Sequence, residues 1–315
     1  MEKKLTILDI ARLSGVGKST VSRVLNQDPK VNAQTRARVE AVIAEHDFVP
    51  SKSARAMRSQ SQQVIGIVVS RLDSSSENQA VRGMLETLYQ RGYDAVLMES
   101  KFSPAKVSEH LAVLERRGVD GIILFAFNDL DYAAMAPLRE KLVLMARERP
   151  GFSSVCFDDD GAVRAVLDHL RGRGIDEVAY LGVERSDLTT GLRRHQAYLD
   201  YCREQGRTPR SALGDLGLQS GYRLAAELLT PTIQAMVCAS DTLAIGAAKY
   251  LQEQGRTDIL VSGLGSNPML TFLFANTLSL DFGYKDAGIL AARQLLDQIE
   301  EGQPPRATIA PCQPL

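Results

Sequence analysis

Hydrophobic and polar positions follow two regimes along this chain: a helical period up to about residue 49, then a long series of apolar runs alternating with helical repeats. Ile7, Ile10 and Ala11 follow Thr6 at the i, i+3, i+4 spacing of a short amphipathic helix, with Thr6 as its N-cap and Ser14-Gly15 as its stop. Val21, Val24 and Leu25 repeat that spacing in a second helix. Lys18, Ser19, Ser22 and Arg23 then gather on its outer side, which carries only donors and hydroxyls. A third helix is predicted after Asn32, running to about His46, with Val39 and Ile43 inward and Arg36 and Arg38 outward. Beyond it, FVPSKSARAMRSQSQQ breaks the pattern. Pro50 ends regular structure, and residues 50–62 read as a linker in which Ser51 to Arg58 is long enough for one short helix, too brief to stand alone.

From Gln63 the period changes. VIGIVVS, DAVLME, VDGIILFAF, KLVLMAR and SSVCFDDD are strand-like, as are EVAYLGV, AMVCAS and ILVSGLG further on. Between them lie helical stretches near Gln79 to Gly92, Pro104 to Arg117, Gly161 to Arg173, Gly191 to Gln205, Gln219 to Leu229 and Thr242 to Gln254. Alternation of this kind predicts parallel sheet. Two series imply two lobes, with the chain crossing near Asp158 and Asp281 and a final helix, about Lys285 to Ile299, returning to the first. Ligands of open α/β sheets sit at the carboxyl ends of strands, so a cleft between the lobes is the expected ligand site. The organisation predicted is an all-α head over 1–49, a linker over 50–62 and a two-lobed core over 63–315.

Charge divides along the same line. Up to Gln60 there are 11 Lys and Arg against 6 Asp and Glu, which leaves 26 against 32 in the remainder. A basic head on an acidic body favours a polyanionic partner for the head, and DNA fits a helix with Lys18, Ser19 and Arg23 near its start. Arg23 and Lys18 suit guanine edges, and hydroxyls suit phosphates. GVGKST does not make a phosphate loop: Arg12 stands where the first glycine should be, and a helix rather than a strand precedes it. With 44% hydrophobic residues the chain is globular. No apolar run approaches the roughly 18 to 20 residues that cross a bilayer, and MEKKLTILD has no signal core, so a cytoplasmic protein without a membrane partner is expected. Cys156, Cys202, Cys238 and Cys312 form no C-x-x-C pair and are expected to be reduced, buried and inert.

Candidate chemistry concentrates at strand ends. Arg71 follows VIGIVVS, Arg147 follows KLVLMA, and Arg194 lies just after ERSDLTTG; three guanidinium groups at one cleft suit a phosphate or carboxylate. Asp73, Ser74, Glu77, Asp187, Thr189, Thr190, Thr242 and Tyr284 add acceptors and hydroxyls that suit the many OH groups of a sugar, while Asp241 has the plainer reading of a helix N-cap. No catalytic constellation emerges. His46, His110, His169 and His195 have no metal spacing, though His195 adjoins Arg194 and could touch ligand, and Asp158 to Asp160 read as a crossover turn. An enzyme and a metal or cofactor are therefore not expected. A transport component with the same two-lobed core would have no use for a basic helical head.

TILDIARLSGVGKSTVSRVLN, VNAQTRARV and FVPSKSARAM resemble the DNA-binding head and hinge of the lactose-repressor family of bacterial regulators, and the body resembles their periplasmic-binding-protein-like core. The resemblance implies a helix-turn-helix headpiece on a two-lobed α/β core with parallel sheets. It also implies a homodimer whose heads grip a palindromic operator. Lys18, Ser19 and Arg23 match base-facing positions in the family, and Thr6, Thr20, Ser22 and Asn26 match phosphate-facing or supporting ones. In the hinge, Lys52 and Arg55 carry the charge, Met57 stands where a leucine usually wedges into the minor groove, and Ser51 stands where asparagine is common. Gly17 replaces a frequent serine cap.

RLDSSSEN, SDLTTGLRRH and SDTLAIGAAKYLQEQ look like the members of that family that govern trehalose utilisation, whose effector is trehalose 6-phosphate. The positions that match are Arg71, Leu72, Asp73, Ser74, Ser75, Ser76 and Glu77, then Arg147, Asp187, Leu188, Thr189, Thr190, Arg194, Thr242 and Tyr284. Ala126 takes the place of a glycine beside the sugar. A repressor released from its operator by that sugar phosphate is the implied function; another sugar phosphate or a corepressor is the alternative.

Overall fold

The first helix is set by reciprocal capping. The Thr6 hydroxyl accepts from the Asp9 N–H and the Asp9 carboxylate accepts from the Thr6 N–H, which starts α1 (Ile7–Ser14); Gly15, at φ 65°, ends it in a left-handed conformation cheap for glycine. The computed structural model describes residues 5–313 apart from 26–27, 29, 47 and 49–61. α2 (Lys18–Leu25) and α3 (Ala33–Glu45) follow, the latter capped by the Asn32 side chain on the Thr35 N–H. Ile10, Ala11, Val21, Val24, Val39 and Phe48 close a small core of their own among these helices. Arg36, expected outward, is half-buried instead, because its guanidinium donates to the Asp28 carbonyl at 2.7 Å. The short helix expected over Ser51 to Arg58 lies outside the described residues.

From Gln63 onward the chain forms a second compact unit. Its strands are β1 (Val64–Val69), β2 (Asp94–Glu99), β3 (Gly121–Phe125), β4 (Leu142–Met145), β5 (Ser153–Phe157), β6 (Val178–Val183), β7 (Ser211–Gly214), β8 (Ala235–Cys238), β9 (Leu260–Leu264), β10 (Thr277–Leu280) and β11 (Ala307–Ala310). They build two sheets, ordered β11-β5-β4-β3-β1-β2 and β10-β9-β8-β6-β7, and every pairing is parallel. β1 and β3, with β4 and β5, are buried almost throughout, as continuous β-branched and leucine runs require when helices cover both faces. β7, β10 and β11 were not marked by the hydrophobic pattern. Each is four residues long, mixes small and polar residues with apolar ones, and lies at a sheet edge where one side needs no apolar cover.

The chain leaves the first lobe at Asp158. That side chain caps the next helix, Asp159–Gly172, by accepting from the Gly161 N–H, and this helix packs against the helix Arg194–Glu204 of the second lobe. It returns through Asp281 to Gly283 into Tyr284–Glu301, which lies on β3, β4 and β5. The tail after β11 runs beside that return: the Gln313 N–H donates to the Asp281 carbonyl, and the Asp158 N–H to the Ala310 carbonyl. Within the first lobe, Ser75–Gln90 and Tyr284–Glu301 pack so closely that a Cβ on Gly83 would meet the Lys285 carbonyl at 2.2 Å, and one on Gly288 the Ala80 carbonyl at 1.9 Å. Gly221 and Gly246 do the same for Leu218–Leu228 and Asp241–Glu253 in the second.

Candidate functional site

Both sheets present their carboxyl-terminal strand ends to one cleft, and a cavity of about 490 Å³ lies there, within the usual range for a small-molecule site. The first lobe contributes Arg71 after β1, Ala126 to Asp129 after β3 and Ala146-Arg147 after β4, together with the first turn of Ser75–Gln90. That helix begins four residues before the predicted start because the Ser74 hydroxyl caps the Glu77 N–H, turning what reads as a serine loop into helix. Ser74, Ser75, Ser76 and Glu77 therefore line the cavity. Leu72 and Asp73 do not. Leu72 is held outward by its N–H bond to the Glu99 carboxylate, and Asp73 is spent on the Arg71 guanidinium at 3.0 Å.

From the second lobe come Asp187, Leu188, Thr189, Thr190 and Arg194 after β6, and Thr242 after β8; Tyr284 closes the floor from the returning helix. Asp187 starts a π-helical turn, Leu188–Arg193, by accepting from the Thr189 and Gly191 N–H groups and from the Thr189 hydroxyl. The regular helix thus begins at Arg194, not at Gly191 as the pattern suggested. Gln79 of the first lobe donates across the cleft to the Gly265 carbonyl at 2.7 Å.

The three arginines share the cavity but not a role. Arg71 is about a third exposed, and its ionic partner among the described residues, Asp73, is itself in solvent. Arg147 is half-buried and gives one N–H to Asn128 at 2.7 Å. Both have donors to spare for an anion. Arg194 is almost wholly buried: it pairs with the equally buried Asp159 at 2.7 Å, donates to the Ala239 carbonyl and the Tyr284 hydroxyl, and stacks over the Phe282 ring at 4.2 Å. Its charge is already balanced, so it organises the floor and adds little attraction for an anion.

Two carboxyl groups in the wall are tuned. Burial pushes Glu77 up to about 7, against the Ser70 and Arg71 N–H bonds and the Arg71 charge that hold it down. Burial likewise pushes Asp241 up to about 6, against the Ser279 hydroxyl, the Asn267 N–H and the Arg194 charge. Ser240 is the helix cap, so the capping role expected for Asp241 is overturned; Asp241 is buried one residue further on. In the folded state both groups hold protons to higher pH than in the unfolded chain, so the stability that each contributes is lost as pH rises from about 4 to about 7. Burial holds His195 down and acts in the opposite sense, so the comparison that isolates Glu77 is Glu77→Gln against wild type: urea melts are expected to show the variant gaining on wild type as pH rises above 6.

Several lining residues were not found from sequence. Phe102 and Phe127 meet edge to face at 5.6 Å beside Asn128 and Asp129, a wall suited to the apolar face of a sugar ring. Glu184, Asp215 and Gly265 complete the second lobe's wall. The strand-end rule reaches Phe102, after β2, and Asn128, after β3, but not Asp215, which follows the unpredicted β7. His195 is placed away from the cavity: it stacks on Tyr180 and bonds the Ser211 hydroxyl inside the second lobe. Three cysteines are buried and Cys312 half-buried, and burial pushes all four thiols up from their ordinary value. Among the described residues no His, Cys, Asp and Glu cluster could hold a metal ion, and no helix is long and apolar enough to cross a membrane.

In the head, Lys18, Ser19 and Arg23 are exposed on α2 and Thr20 is half-buried. Ser22 is not on the outer side; it is buried, since α2 is packed by both α1 and α3 and a short side chain beside Val21 is covered by them. Thr6 spends its hydroxyl on the α1 cap. Asn26, Lys52, Arg55 and Met57 lie outside the described residues.

Residues 6–51 match the bacterial regulatory proteins of the lacI family, and residues 62–309 match the periplasmic binding proteins and sugar binding domain of that family. The chain belongs to the lacI family of bacterial regulatory proteins. Among lacI-family relatives, the HTH-type transcriptional regulators TreR of Salmonella typhimurium and of Escherichia coli K12 are each 49% identical over 311 residues, covering 99% of both chains. A solved trehalose repressor from Escherichia coli covers 79% of this chain and 98% of its own, with 44% identity and a TM-score of 0.78. A lac repressor dimer bound to operator and an anti-inducer covers 99% of this chain and 97% of its own at 22% identity and a TM-score of 0.88, and shares the fold.

Proposed function

We propose that this protein represses trehalose utilisation by binding operator DNA as a homodimer in the cytoplasm, on nucleoid DNA, and is released by trehalose 6-phosphate. One observation carries the effector: Arg71 and Arg147 reach a single cavity with donors uncommitted, beside hydroxyls and an aromatic wall. A neutral disaccharide would offer those donors only hydroxyl and ether oxygens, without the charge-assisted bonds an anion gives. The near-full-length relatives named TreR and the trehalose repressor structure support trehalose as the sugar.

The head, residues 1–49, supplies Lys18, Ser19 and Arg23 to base edges, while Thr6, Thr20, Ser22 and Asn26 hold backbone contacts or the helix itself. The hinge, 50–62, carries Lys52, Arg55 and the wedge Met57. In the core, 63–315, effector changes the relative orientation of the lobes and the paired hinges separate. Linkage makes this testable. With a duplex selected by the protein from a random pool, trehalose 6-phosphate is expected to bind about 5- to 150-fold more weakly than without it, by the same factor that the sugar phosphate takes from duplex affinity. Equal effector affinities in a fluorescence titration with and without duplex would reject the scheme.

A further inference from the structure

Asn128 is where the two walls of the cleft meet an arginine. It follows β3 in the first lobe; its Oδ1 accepts from Arg147 at 2.7 Å, and its Nδ2 donates to the Ser186 carbonyl in the second lobe. An arginine only donates and a carbonyl only accepts, so the two neighbours fix which way the amide points. Aspartate could accept from Arg147 but not donate to Ser186. The Ser186 carbonyl belongs to a turn closed by the Asp187 N–H on the Glu184 carbonyl, immediately before the π-helical turn that lines the cavity.

We propose that Asn128 is a positioning residue that ties Arg147 to the opposite wall of the cleft, so that the site's preference for a phosphorylated over an unphosphorylated sugar depends on an amide at this position. Arg147 uses one N–H on Asn128 and keeps the rest for the anion, and an arginine already held in place loses less side-chain freedom on binding. The same amide passes that placement to the second lobe. Nothing in this arrangement requires Asn128 to touch the ligand.

The proposal rests on reading the cavity as a sugar phosphate site, and calorimetry on the full chain separates the two. The probes are trehalose 6-phosphate and trehalose, and the readout is the ratio of their affinities. Asn128→Leu is expected to cut that ratio about five- to tenfold, the worth of one immobilised long side chain. In an Arg147→Ala background the same change is expected to leave the ratio alone, since the group it positions has gone. An unchanged ratio in Asn128→Leu, or the same loss with Arg147 absent, would overturn the positioning role while leaving the phosphate reading intact. A wild-type protein that binds both sugars equally would overturn the phosphate reading, and Asn128's role with it.

Discussion

Arg194→Met is expected to lower the melting temperature of the core by about 10 °C. The pair it breaks is buried on both sides: Arg194 and Asp159 each keep 3% of their side-chain surface. Removing the guanidinium strands the Asp159 carboxylate without water or counter-charge, and leaves the Ala239 carbonyl without its 2.6 Å donor. Breaking a buried ion pair from one side costs about 3–5 kcal/mol, and for a unit of this size each kcal/mol is worth about 2–4 °C. The double variant Arg194→Met with Asp159→Leu is expected to recover most of the loss, since removing both charges leaves nothing uncompensated. Differential scanning calorimetry of the three variants decides it. A double variant no better than the single one would mean that stacking on Phe282, not charge pairing, holds the floor.

Arg147→Ala is expected to act on ligand choice rather than on stability. Its guanidinium is half-buried and among the described residues it bonds to a neutral amide, so its loss strands no charge there. A charge-assisted hydrogen bond is worth about 1.5–3 kcal/mol, so a bidentate contact to phosphate predicts about a 100-fold weaker hold on trehalose 6-phosphate. Trehalose itself is expected to lose less than about threefold, because no oxygen of a neutral sugar offers that geometry. Isothermal titration of both ligands against wild type and variant measures it, and equal losses would place the phosphate elsewhere in the cavity.

How much of this could be read from sequence depends on how local the cause is. β1 and β3 are legible because a strand covered on both faces must be apolar throughout, as Ile65 to Val69 and Ile122 to Phe125 are. β11 is not: Ala307, Thr308 and Ile309 leave much of themselves in solvent, and its partner β5 lies some 150 residues earlier. Arg71 and Arg147 were found because strand ends mark the cleft. The different fate of Arg194 was hidden, because Asp159 and Tyr284 approach it only once both crossings have formed. Ser22 was misplaced since a helical period does not say how many sides of a helix are covered.

The backbone contact at Gly83 and Gly288, repeated at Gly221 and Gly246, leaves no slack between those helices for sliding. Those helix pairs then shift as units, and a change in the angle between the lobes falls on the chain that joins them, at 158 and at 281–283.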